Sequence, residues 1–202
     1  MAMGSGYRVQ FRRRREGKTD YQARKALVLS GKPRLVVRTS LKNAIAQIII
    51  AKPQGDAVLV SAHSKELAKN YEWKASTGNI SSAYLTGYLC GLKAKANDVE
   101  EANLDIGLST PSKGARIFAV LKGVLDAGVN VHHSEKKLPD EKRLQGEHVA
   151  EYAKSLASNP EKYQAVFSKY LKQKLSPEDI PNHFAEVKKA IAAKLKRGGK
   201  KA

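Results

Sequence analysis

Three β-branched apolar runs in succession, then two helical stripes each followed by an alternating apolar stretch, predict an α/β fold. The expected body is a mixed five-stranded sheet in the order β-β-β-α-β-α-β with packed helices. A charge surplus gathered at the two ends adds a basic N-terminal arm (residues 1–29) and a basic helical C-terminal extension (residues 136–202) to an α/β core (residues 30–135).

The arm holds Tyr7-Arg8-Val9-Gln10-Phe11-Arg12-Arg13-Arg14-Arg15-Glu16-Gly17-Lys18-Thr19-Asp20-Tyr21. Arginine forks match phosphate oxygens two at a time and stack on bases, while Tyr7, Phe11 and Tyr21 offer flat faces to unpaired nucleotides. The arm therefore reads as an RNA-binding segment. A solvated tail or a localisation signal built of the same residue types is the competing reading.

Leu35 to Thr39, Ala44 to Ile50 and Ala57 to Ala62 are short, rich in valine and isoleucine, and separated by Ser40-Leu41-Lys42-Asn43 and Pro53-Gln54-Gly55-Asp56. They predict an antiparallel meander. Tyr84, Leu85, Tyr88, Leu89 and Leu92 then form an amphipathic helical stripe with Asn79 as its N-cap. Gly87 and Gly91 fall on one face of that helix. Each costs about 1 kcal/mol against alanine, which implies close approach of a neighbour, expected to be the sheet or RNA.

Leu104, Ile106 and Leu108 alternate with Asp105 and Gly107 as a fourth strand. Ile117, Phe118, Leu121, Val124 and Leu125 give a second helix closed by Gly128, and Val129 and Val131 begin a fifth strand. Helical crossovers among the last three strands predict parallel neighbours. In the extension, Val149, Tyr152, Ala153 and Leu156 form one stripe, Tyr163, Val166, Phe167, Tyr170 and Leu171 a second, and Phe184, Val187, Ile191 and Leu195 a third. Asn159-Pro160-Glu161 and Ser176-Pro177-Glu178-Asp179 are helix starts, and Gly198-Gly199 a helix end. Helices this short need a surface to pack on, expected to lie outside the chain.

Across its 202 residues the chain has 37 basic and 19 acidic side chains, a formal charge of +18. Eight basic and two acidic groups lie in residues 1–30, 13 and nine in 31–135, and 16 and eight in 136–202. A surplus of this size repels itself unless a polyanion neutralises it, which points to nucleic acid. At 42% hydrophobic residues, wholesale disorder is excluded. No apolar run reaches the roughly 18 to 20 residues that span a bilayer, and Met1 to Arg15 is charged where a secretory signal is apolar. The lone Cys90 makes no intramolecular disulfide and fits a reducing, cytoplasmic setting. No membrane partner, small-molecule substrate or cofactor is expected.

Several blocks together resemble one family. They are Arg12 through Tyr21, Gly31-Lys32-Pro33-Arg34-Leu35-Val36-Val37-Arg38, Gly78-Asn79 with Ala83-Tyr84-Leu85-Thr86-Gly87, Leu104-Asp105-Ile106-Gly107-Leu108, and Pro139 through Gly146-Glu147-His148-Val149-Ala150-Glu151-Tyr152. In this order the chain resembles the archaeal form of large-subunit ribosomal protein L eighteen, whose eukaryotic counterpart is called L five. The likeness covers most of residues 7–155 and rests beyond that on basic, helical character. It implies a structural protein that binds 5S ribosomal RNA and attaches it to 23S ribosomal RNA in the central protuberance of the large subunit. It places Arg8, Arg12, Arg13, Arg14, Arg15, Lys18, Arg24, Arg34 and Arg38 on 5S RNA, and the C-terminal extension among RNA and neighbouring ribosomal proteins. Arg143, inside the Pro139 to Tyr152 block, joins the candidate contacts.

Two helix starts, Gly78-Asn79 and Ser112-Lys113-Gly114, offer backbone N–H groups to a phosphate, assisted by Lys113 and Arg116; ordinary capping is the alternative. Other motifs carry less. Gly17-Lys18-Thr19 mimics the end of a phosphate-binding loop, but Arg12 stands where that pattern needs glycine. His132-His133 near Glu135 would point to opposite faces of a strand and share no metal. Cys90 reads as a core residue. Trp73, beside Tyr71 and Lys74, is open between core and RNA. The rival functions are a metal-dependent RNA-processing nuclease, whose only strand carboxylate is Asp105, and an unselective DNA-coating protein.

Overall fold

Alternation along one strand sets the polarity of the whole fold. In β1 (Arg34–Thr39), Leu35 and Val37 are fully buried on one face, while Arg34, Val36 and Arg38 project from the other. The computed structural model describes residues 4–198, and β1 lies at the centre of its sheet. β2 (Ala44–Lys52) and β3 (Gly55–His63) follow as the expected antiparallel meander, with a bulge beside Ile48 and Ile49. β4 (Glu101–Asp105) and β5 (Asn130–Val131) complete the mixed sheet in the order β3-β2-β1-β4-β5.

Two strand expectations need correcting. β4 and β5 are parallel neighbours, but β4 pairs with β1 and not with β3. The tight turns of the meander carry β3 to the far edge, so the crossover after it passes β2 and β1 to reach β4. The fourth strand also ends at Asp105 instead of continuing to Leu108. The Asp105 carboxylate accepts the Gly107 N–H at 2.9 Å, Gly107 turns with φ +62°, and Leu108 is 59% exposed.

The core face is covered by α4 (Ile80–Lys95) and α5 (Arg116–Asp126). α4 was expected to be amphipathic but is buried on nearly every face, between the sheet, α5 and the C-terminal helices. Its run of Ala, Ser, Thr, Gly and Cys lets neighbours approach from all sides. Cys90 is fully buried and its thiol is pushed up to about 12 by burial. The partner demanded by Gly87 and Gly91 is α5, not the sheet or RNA. A Cβ on Gly87 would overlap the Val120 carbonyl oxygen and lie 2.7 Å from its carbon, and one on Gly91 would lie 2.6 Å from the Ala127 Cβ. Gly123 of α5 repeats the contact in reverse, 2.7 Å from the Tyr88 nitrogen.

Three helical pieces escaped the sequence reading. α1 (Arg12–Arg15) is a single turn, and α2 (Tyr21–Leu29) is capped by Asp20, whose carboxylate accepts the Gln22 and Ala23 N–H groups at 2.9 and 3.1 Å. α3 (Ser64–Asn70) starts with His63 and Glu66 capping one another reciprocally.

The C-terminal segment supplies α6 (Glu141–Gln145), α7 (Glu147–Leu156), α8 (Pro160–Lys172) and α9 (Ile180–Gly198); Gly199, half of the expected helix end, lies outside the described residues. These helices find their surface within the chain. Leu144, Ile180, Phe184, Val187 and Ile191 join the same hydrophobic cluster as Leu85 and Leu89. In α7 the inward residues are Ala150 and Ala153, and Tyr152 is 51% exposed; in α8 only Phe167 is buried. Among the described residues no helix is long and apolar enough to cross a membrane.

Trp73 belongs to the core: it is buried, and its ring stacks on His183 of α9 at 5.1 Å. The Lys74 N–H donates to His183 Nε2 at 3.1 Å, which requires that nitrogen to be unprotonated. Burial holds the imidazole below its ordinary 6.5; Lys74 adds to the depression and Glu186 opposes it. The folded state thus binds the proton more weakly than the unfolded state. The stabilisation is complete above pH 6.5 and is lost as pH falls from there through the folded value. An acid titration followed by fluorescence of the single tryptophan is expected to report loosening of α9 in that window, and His183→Gln to flatten it. Residual dependence would report His148, which burial also pushes down. An unchanged titration in His183→Gln would remove His183 from the account.

Candidate nucleic-acid interface

The arm displays its cations with few internal partners, Arg13 Nε donating to Thr19 Oγ1 at 2.8 Å. The Arg14 and Arg15 N–H groups donate to the Phe11 carbonyl at 3.0 Å, and the Lys18 N–H returns to the Arg13 carbonyl at 2.9 Å, closing a compact turn. This geometry packs four guanidinium groups onto one turn with all of them exposed. Glu16 pairs with Arg12 at 3.7 Å and with Lys18 at 2.8 Å, but exposed pairs of this kind contribute at most about 1 kcal/mol. The remaining mutual repulsion is relieved by a polyanion. Tyr7 and Phe11 are 51% and 75% exposed, and Phe11 leans on Tyr21 at 5.8 Å, fixing the arm against the start of α2. Arg8 is likewise exposed.

Beneath α2, on the open sheet face, arginines and carboxylates alternate. Arg24 grips Asp56 with two bonds of 3.0 and 2.7 Å; Arg34 reaches Asp56 at 2.8 Å and Asp105 at 3.0 Å; Arg38 reaches Asp105 at 2.9 Å. The hydrogen bond from Arg24, with a further one from Arg34, holds the Asp56 carboxyl below the usual carboxylate range, and the same bond raises Arg24. Arg34 was expected to face RNA. It is only 2% exposed and both its arms are taken by carboxylates, so it organises the face rather than touching a ligand. Arg38 keeps a 46% exposed side chain while donating to the Val37 and Asp105 carbonyls at 2.8 and 2.7 Å.

The structure thus gathers Arg13, Lys18, Tyr21, Arg24, Arg34 and Arg38 around one cleft of about 1130 Å³. The other candidates lie apart from it. Asn79 caps α4, its side-chain oxygen accepting the Ser82 N–H at 2.7 Å, so capping prevails at that helix start. Arg116 donates to the Ser40 and Gly78 carbonyls at 2.8 and 2.9 Å, stapling the turn after β1 to the entry of α4. Helix α5 itself begins at Arg116, after Ala115, and Lys113 stands exposed before it. Arg143 is exposed on α6. His133 bonds the Val131 carbonyl at 2.8 Å.

Sequence reasoning missed Asp56 and Asp105 as the organisers of the cleft. Asp105, a charged residue alternating with Leu104 and Ile106, is the available signal, and in sequence it fits a magnesium ligand as well as an ion pair. Its oxygens are occupied by Arg34 and Arg38, and among the described residues no three His, Cys, Asp or Glu side chains converge on a metal position.

Comparison with known proteins matches the amino-acid sequence of the chain to one family model. The profile of "Ribosomal large subunit proteins 60S L5, and 50S L18" matches residues 5–98 and 92–134. The "Large ribosomal subunit protein uL18" of Methanococcus maripaludis is 56% identical over 191 residues, covering 95% of this chain and 98% of that protein.

Proposed function

Because the chain belongs to the family of ribosomal large-subunit proteins L5 and L18, we propose that it binds 5S ribosomal RNA and joins it to 23S ribosomal RNA in the central protuberance. Membership makes it a structural, rRNA-binding constituent of the large subunit in the cytoplasm and not an enzyme. The observation that carries the finer reading is the exposed four-arginine turn, with Tyr7 and Phe11 exposed before it, whose Arg13 lines a basic cleft together with Lys18 and Tyr21. Phosphate contacts from Arg8, Arg12, Arg13, Arg14, Arg15 and Lys18 supply affinity, and exposed aromatics with Arg24 and Arg38 select RNA whose bases are splayed out. Arg34 supports this set from below. Lys113 offers a second contact, with Asn79 and Arg116 holding the start of α4 in place, and Arg143 with the rest of residues 136–202 faces RNA and neighbouring ribosomal proteins.

Deleting residues 1–20 and measuring affinity for 5S RNA across a salt series tests the arm. Each neutralised phosphate contributes about 0.7 to 0.9 to the slope of log affinity against log salt, so removing six cations lowers the slope by up to about 5 on the same basis. An unchanged slope would take the arm out of the binding account. Duplex DNA is expected to compete poorly at equal salt, and equal competition would favour unselective coating.

A further inference from the structure

The cleft between α2 and the open sheet face is wider than its walls require. A helix laid on a sheet ordinarily closes the gap with large side chains at near-crystalline density. Here α2 lines the cleft with Ala23 and Ala26 beside Tyr21, Arg24 and a single large aliphatic side chain, Leu27, and none of its nine residues is buried. Opposite them lies an apolar floor of Val36, Ile49 and Ile106. Polar tethers hold the helix in place: Arg24 to Asp56 near its start, and the Asn103 amide donating to Ser30 Oγ at 2.8 Å just past its end.

Resting on the reading that this chain binds ribosomal RNA, we infer that the cleft is a pocket for an unpaired nucleotide, its base between Ala23, Ala26 and Leu27 of α2 and the sheet, its phosphate on Arg13 and Lys18. Charge favours this occupant over a peptide. The cleft is lined by five basic and three acidic residues, and none of the three carboxylates is free to attract a cation. Asp56 and Asp105 are paired with arginines, and Asp20 caps α2.

Shape favours it over a duplex. A paired base keeps its faces stacked inside the helix, whereas an unpaired one offers two flat faces to an apolar floor and polar edges to fixed cations. The Arg38 guanidinium is a prepared stacking plane. Its bonds to two carbonyls and to Asp105 fix its orientation and leave almost half of the side chain open. Tyr21 offers a second plane in the lining.

Ala26→Trp fills the cleft from the helix side without changing charge, in the full chain. Its affinity for an archaeal 5S RNA transcript is measured over a salt series, with chemical probing of each base. The expected result is about tenfold weaker binding, within the range for loss of one stacked base, an unchanged salt slope, and one base losing protection. Failure of the wild-type protein to bind would sink the RNA reading itself. Wild-type binding together with an Ala26→Trp protein that binds equally, with the same bases protected, overturns the pocket alone. Weaker binding through a smaller slope, with protection unchanged, makes the cleft a phosphate site and also overturns it. Should Ala26→Trp lose its far-ultraviolet helix signal, Ala23→Leu gives the same outcomes with a smaller intrusion.

Discussion

A Gly87→Ala protein is expected to lose at least about 2 kcal/mol of stability and, in a chain of this length, to melt roughly 4 to 8 °C lower. On helix propensity alone the change would stabilise by up to about 1 kcal/mol. Packing decides the sign. The added methyl would overlap the Val120 carbonyl, which is backbone and has no rotamer to yield, so α4 and α5 must move apart. That separation loosens Leu121 and Val124, both fully buried. Gly91→Ala supplies the contrast, because its nearest obstacle is the Ala127 side chain and Ala127→Gly is expected to recover part of the loss. No side-chain deletion on α5 is expected to rescue Gly87→Ala. Thermal unfolding of the three proteins decides the matter, and a Gly87→Ala melting point at or above wild type would refute the close-contact account.

Asp105→Ala has the second large effect, about 3 kcal/mol of destabilisation. The carboxylate is 8% exposed and accepts hydrogen bonds from Arg34, Arg38 and the Gly107 N–H. Without it, Arg34 remains buried with Asp56 alone, and one of its arms loses its acceptor. Truncating one member of a buried network costs more than the network's net contribution, because the cost is that of stranded charge. Arg34→Met combined with Asp105→Leu is therefore expected to be more stable than Asp105→Ala. Lys32→Ala, which breaks only the exposed pair with Glu101, is expected to stay within about 1 kcal/mol of wild type. Denaturant unfolding of this set is the measurement, and an Asp105→Ala midpoint equal to that of Lys32→Ala would show that the network does not hold the face together.

Local pattern carried the sheet and both central helices. Leu35, Val36 and Val37 make a short apolar run bounded by arginines, Asn79 sits where a cap belongs, and Gly128 closes α5, each a signal contained within a few residues. Long-range partnership was less legible. Gly87 announces a close neighbour, but its spacing does not say whether that neighbour is a helix, a sheet or RNA. Arg34 and Arg38 look alike in sequence, two turns of the pleat apart, and only the depth of each strand position separates a buried organiser from an exposed contact. The reciprocal cap of His63 and Glu66 was overlooked because histidine is not among the favoured capping residues. The arm's chemistry is plain from its arginines, but α2 behind it buries none of its residues and so leaves no core-facing stripe in the sequence.

The placement of Phe184, Val187 and Ile191 against α4 has a consequence for biogenesis. Synthesis runs from the N-terminus, so α4 leaves the exit tunnel well before the segment that completes its packing is made. At about 5 to 20 residues per second, the interval between Lys95 and Ile191 leaves one flank of the central helix uncovered for several seconds. During that time the nascent polypeptide combines a sticky apolar flank with an arginine-rich leader already in the open. Maturation of this chain is therefore gated by its last helix, and a ribosome stalled late on its message would present an unfinished, polyanion-seeking intermediate.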